Sequence, residues 1–99
     1  MIRLAGELDI SGAETLQETL IELDRDPPAL VVLDLQGLEF IDSSGLRVIL
    51  AADDAARHAG RRVTLIPGPQ KVQDVFRTTL LEERLNFVHG PEDLPQDAR

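Results

Sequence analysis

Asp42, Ser43 and Ser44 stand in a row ahead of Gly45, Leu46, Ile49 and Leu50. These are the residue types from which a helix mouth with chemistry of its own is built. Asp and Ser side chains accept hydrogen bonds from the free N–H groups of a first helical turn, and the apolar residues that follow recur at helical spacing. The first turn also carries a partial positive charge, so a phosphate or other anion added there is stabilised rather than repelled. A serine hydroxyl in that place can accept a phosphoryl group, or it can do no more than cap the helix. Asp-Ser-Ser-Gly alone is equally an ordinary cap and turn, in which Ser44 is expected to cap the helix or shape the turn.

Other chemistry has less support. Neither GxSxG nor a triad signature accompanies the serines, so a serine hydrolase is not expected. Gly37, Gly45, Gly60 and Gly68 are isolated from one another, which leaves no phosphate-cradling loop. His58 lies in a charged helix end and His89 beside a terminal turn, neither with further ligands at metal spacing, so no metal or cofactor is expected. The absence of cysteine removes thiol nucleophiles, disulfides and Cys-based metal sites. The chain is read as a non-enzyme. One rival is Asp34, near the end of an apolar run, which resembles the phospho-accepting aspartate of a response-regulator receiver, with Lys71, the only lysine, as its partner. Against it, Glu7 and Asp9 are separated rather than adjacent, and the chain is one strand–helix unit short.

Ninety-nine residues, 42% hydrophobic and 28% charged, describe a single soluble globular domain. No apolar run approaches the roughly 18 residues that span a bilayer, and no secretory signal opens the chain. Membrane insertion is therefore not expected, and the cytoplasm is the expected compartment. A net charge of −8 without Trp or Tyr argues against nucleic acid as a direct partner, because phosphate backbones are repelled and bases find no stacking platform.

The elements that must position the serines alternate along the chain. Ile2 to Ala5 reads as a strand. Ser11 with Glu14 makes a capping box, followed by the helical face Leu16, Leu20 and Leu23, which Pro27 and Pro28 stop. Leu30 to Leu35 is an apolar, β-branched run broken only by Asp34, which suits a strand covered on both faces. The helix after the serines runs to Gly60 as its C′ residue, with Ala52, Ala55 and Ala56 allowing close packing. Arg62 to Ile66 reads as a strand, and Pro69 near N1 opens a helix with Val72, Val75, Phe76 and Leu80 on its apolar face. Leu85 to Val88 completes the strands. Gly90, Pro91 and Pro95 then leave a brief helix over Glu92 to Asp97 or a frayed tail, so residues 1–90 form the domain and 91–99 an appendage. This order argues for an α/β fold with a mainly parallel sheet and helices packed on it.

The blocks Gly6 to Leu16 (GELDISGAETL), Val31 to Leu50 (VVLDLQGLEFIDSSGLRVIL) and the later VTLIPGPQKVQDVF segment together resemble, in order, a STAS domain of the anti-sigma-factor antagonist family. The resemblance spans nearly the whole chain, and Asp42-Ser43-Ser44-Gly45-Leu46 is its most specific part. It implies that Ser43 is phosphorylated by a partner that is both anti-sigma factor and serine kinase, and that a PP2C-type phosphatase resets the protein. The unphosphorylated form would bind the kinase and free the sigma factor. Asp9, Asp42, Ser44, Gly45, Leu46 and Arg47 are the implied partner-binding residues. The resemblance also implies a strand ahead of the GELD block that has no counterpart here, which would leave an unpaired sheet edge and favour self-association. STAS domains serve in other assemblies too, so a non-switching subunit of a stressosome or lipid-transport complex is the alternative.

Overall fold

Ile2, Leu4 and Leu8 alternate with Arg3, Ala5 and Glu7, and the chain follows that two-residue period as strand β1, Ile2–Leu8. In the computed structural model, which describes residues 1–94, helix α1 spans Ile10–Leu23, β2 Val31–Ile41, α2 Ser43–His58 and β3 Val63–Ile66. Helix α3 covers Gln70–Thr78, α4 Leu81–Arg84 and β4 Asn86–Phe87, and Pro91–Asp93 make one 3-10 turn. The four strands are parallel and lie in the order β1-β2-β3-β4, the α/β architecture expected from the alternation.

An unbroken order of parallel strands joined by right-handed crossovers sends every connecting helix to the same face of the sheet. The core has that composition. Leu33 and Leu35 of β2 and Val63 and Leu65 of β3 share one cluster with Leu16 of α1, Leu46 and Ile49 of α2, and Val72 and Phe76 of α3. The alternate residues Val32 and Ile66 join a smaller cluster with Leu30, Val88 and Leu94. A receiver differs here, since a doubly wound sheet reverses its strand order at a switch point, and this sheet does not. Asp34 lies within β2, its carboxylate accepting the Gln36 N–H at 2.9 Å.

Several boundaries depart from the sequence reading. Strand β2 does not stop at Leu35 but runs six residues further, where a polar turn was expected. Its extension pairs with β1, Ala5 opposite Gly37 and Leu8 opposite Ile41. The register slips between Gly6 and Glu7, which face Leu38 and Phe40, so the buried residues Leu38 and Ile41 are three apart and the alternation is hidden. Helix α1 is capped by Asp9, whose carboxylate accepts the Gly12 N–H at 3.1 Å; Ser11 is therefore inside the helix and forms no capping box with Glu14. Pro69 is the N-cap of α3 rather than its first residue. Leu80 is not on the apolar face of α3: the helix ends before it, and Leu80 adopts φ 62 with its side chain 73% exposed. Gly60, at φ +75, follows the α2 C-cap Ala59 as expected, and the Arg61 N–H reaches back to the Ala56 carbonyl at 2.8 Å.

The alanine-rich half of α2 holds a residue that composition alone would put in water. Asp53 is wholly buried, while Ala52 and Ala56 pack on the core and Ala55 is exposed instead. Asp53 Oδ2 lies 3.0 Å from Arg57 Nε in an ion pair and Oδ1 3.3 Å from Arg62 Nε. Both arginines also donate to the Arg84 carbonyl. A carboxylate out of water persists only when it is paired in this way, and the cluster ties α2, the approach to β3 and α4 together. No helix among the described residues is long and apolar enough to cross a membrane. At the C-terminus, Leu94 is buried against the second face of the sheet; the rest of the brief helix expected to Asp97 lies outside the described residues.

Candidate partner-docking site

Two strands end side by side at the same edge of the sheet, and each turns at once into a helix. Leu8 faces Ile41 across the ladder, and the Asp42 N–H donates to the Leu8 carbonyl at 3.3 Å. Asp42 is the N-cap of α2: one carboxylate oxygen accepts the Ser44 N–H at 2.9 Å and the Gly45 N–H at 3.3 Å. The cap is thus the aspartate and neither serine, because its side chain reaches both amides from an extended backbone. The same device caps α1. Leu8-Asp9-Ile10-Ser11-Gly12 and Ile41-Asp42-Ser43-Ser44-Gly45 share the pattern of an apolar strand end, an aspartate cap and a glycine three residues on, a local repeat that is visible in the sequence once the caps are known.

The glycines of that repeat allow the helices to leave close to the strands. A Cβ on Gly45 would stand 2.7 Å from Leu8 Cγ and 2.9 Å from the Leu8 carbonyl oxygen, and one on Gly12 2.8 Å from the Glu7 carbonyl oxygen. No side chain fits at either distance. Gly45 is buried and Leu46 turns into the core, so both position their neighbours rather than add to the exposed surface.

What remains outward is a small set. Ser43 is the first residue of α2 and is exposed, its Oγ without a hydrogen bond among the described residues. Ser44 is half-buried and Arg47 exposed, and both line a shallow groove between α1 and α2 with Ile10, Glu14, Gln17 and Val48. Ile10, which holds in α1 the place that Ser43 holds in α2, is 65% exposed, and Phe40, at the end of β2, is 47% exposed. Asp9 and Asp42 are half-buried, their carboxylates turned to helix amides. The surface is therefore a hydroxyl and a guanidinium flanked by two exposed apolar side chains. Among the described residues no three of His, Asp and Glu converge on a metal position. A more enclosed cleft of about 250 Å³ lies at the far ends of α1 and α2, by Leu23 and Ala56. Its arginines are engaged internally, Arg61 with the Pro28 carbonyl and Arg62 with Asp53.

The chain matches the family model described as "Mlab, STAS domain" over residues 1–88. It is 33% identical over 101 residues to the anti-sigma-F factor antagonist RsfB of Mycobacterium tuberculosis, covering 91% of this chain and 81% of that protein. The chain belongs to the STAS-domain family of anti-sigma-factor antagonists. The anti-sigma-B factor antagonist of Staphylococcus aureus is 21% identical over 91 residues, covering 92% of this chain and 84% of its own. In fold, this STAS domain superposes on the anti-sigma factor antagonist SpoIIAA in its unphosphorylated form with a TM-score of 0.76 at 23% identity, covering 91% of this chain and 79% of that one. The helix mouth at Ser43 is thus carried by a STAS scaffold.

Proposed function

We propose that this STAS protein is a phosphorylation-controlled partner switch of the cytoplasm. Its unphosphorylated form binds an anti-sigma factor that is also a serine kinase and so frees the sigma factor. The kinase transfers the γ-phosphoryl group of ATP to Ser43 Oγ, which loses its proton, and ADP departs. The modified protein leaves, and a PP2C-type phosphatase returns it to the binding state. The observation that carries this reading is Ser43 itself: an exposed hydroxyl with no hydrogen bond among the described residues at the first position of α2, in a chain similar to an anti-sigma-F factor antagonist.

The charge change accounts for release. A phosphate adds about −1.5 to −2 charge one residue from the Asp42 carboxylate. Asp42 already accepts the Ser44 and Gly45 N–H groups, so the new anion cannot take those amides without displacing the cap. It stays turned outward, where a partner fitted to a hydroxyl meets repulsion and a desolvation cost. Arg47, one helical turn on and exposed, supplies the partner with a cationic contact, and Ile10 and Phe40 supply apolar ones.

Incubation with the cognate kinase and ATP should add one phosphate, mapped to Ser43 by mass spectrometry. Ser43→Ala should bind the kinase and remain unmodified, and Ser43→Glu should bind at least about 10-fold more weakly, a difference of roughly 1.4 kcal/mol. Phosphate on Ser44, full modification of Ser43→Ala, or undiminished binding by Ser43→Glu would each refute the switch.

A further inference from the structure

We infer that the outer edge of β1 is a docking edge for β1 of a second copy of this chain, paired antiparallel about Ala5. The sheet has two edges. At one, β4 is two residues long, and an edge that short offers little to an added strand. At the other, β1 is seven residues long and pairs only with β2 among the described residues.

The backbone of β1 is divided between its two sides. In a parallel ladder, the N–H and C=O of alternate residues point to alternate sides. The Leu8 carbonyl accepts from Asp42 of the β2 side, and the Leu4 carbonyl lies against Gly37 of β2. Arg3 and Ala5 therefore turn their peptide groups to the open side, as does Glu7 at the end of the strand, where its carbonyl lies against Gly12 of α1. The register slips place their extra residues on β2, since Arg3 and Ala5 face Asp34 and Gly37. The alternation of β1 survives them, and its exposure alternates along the strand as well.

The side chains select the partner. Arg3 and Glu7 are exposed, and neither has an ion pair or side-chain hydrogen bond among the described residues. They lie symmetrically about Ala5, itself exposed and small. In an antiparallel pair with Ala5 on the two-fold axis, Arg3 of each copy stands opposite Glu7 of the other, giving two cross-strand pairs of opposite charge. A parallel pairing in register would set Arg3 against Arg3. On the helix-layer side, Ile2 and Leu4 are only half-buried and gain cover, Ile2 from Leu8 and Leu4 from the second copy's segment at Gly6. Gly6 has φ +72 with open space where a Cβ would stand, so Leu4 of the other copy meets no side chain there. One seven-residue edge is small beside the roughly 1,200–2,000 Å² of a stable interface, so the pair is reversible and concentration-dependent.

Sedimentation equilibrium of the 99-residue chain should show a monomer–dimer equilibrium that both Arg3→Glu and Glu7→Arg weaken at least 5-fold, with circular dichroism unchanged because both positions are exposed. Mixing these two variants should restore dimers, since each supplies the charges the other lacks, and the doubly exchanged Arg3→Glu/Glu7→Arg chain should dimerise like the parent. A strictly monomeric parent at millimolar concentration, single variants that associate as the parent does, or a mixture that stays monomeric would overturn the proposal. So would slow amide exchange at Ala5 in dilute monomer, which would mean that another segment of the same chain covers the edge. None of these readouts depends on Ser43.

Discussion

At Asp42 a single carboxylate oxygen accepts two backbone amides, and this decides what the neighbouring serines are free to do. Because the aspartate caps the helix, Ser43 and Ser44 are relieved of capping, and the Ser43 hydroxyl is left exposed. Asp42→Ala should cost about 1 kcal/mol of stability, within the roughly 0.5–2 kcal/mol range of lost N-caps. Ser44→Ala, which removes no cap, should stay within about 0.5 kcal/mol of the parent. Urea denaturation of the two variants checks this, and a larger loss at Ser44 than at Asp42 would reverse the assignment of the cap.

Among the elements, α3 ends under strain. Its C-cap is Thr79 and the residue after it, Leu80, holds φ 62 with an exposed side chain. That is the position where glycine is the usual occupant, because an L side chain there crowds the backbone. The left-handed conformation costs about 1–2 kcal/mol, and the added chain entropy of glycine costs about 0.5–1 kcal/mol. Leu80→Gly should therefore raise stability by about 0.5–1 kcal/mol, read as a higher urea midpoint at unchanged slope. A lower midpoint would mean that the Leu80 side chain makes a contact that outweighs the strain. The first two helices, by contrast, begin without such strain: each follows its strand through an extended aspartate and a glycine that lets it leave close by.

On the scale of the whole molecule, the helices occupy one face of the sheet and the C-terminal segment attends to the other. Leu94 packs there with Val32 and Ile66, all of them nearly inaccessible. Leu94→Ala should cost about 2 kcal/mol, at the low end for buried leucines because the cluster is small, and lower Tm by roughly 10 °C. Thermal unfolding followed by circular dichroism checks it; an unchanged Tm would mean that the second face is held without this segment. Binding through Ser43 should be unaffected, since Leu94 and the α2 mouth stand on opposite sides of the core.

The alternation of elements, the parallel sheet and the place of Ser43 at a helix mouth were legible in the residues because they depend on local signals: apolar period, proline stops, and polar residues ahead of an apolar helix. The family followed from the order of three sequence blocks. What the tertiary structure alone decided concerns pairs distant in sequence. The extra length of β2 exists because β1 lies beside it, and the slipped register between them concealed it from any two-residue period. Asp53 is buried because Arg57 and Arg62 converge on it from either side of a turn. The aspartate caps displaced the expected serine caps because only an Asp side chain on an extended backbone reached the amides. Gly45 is required by the nearness of Leu8, a contact between residues 37 positions apart, and such nearness is a property of the packed chain rather than of any window along it.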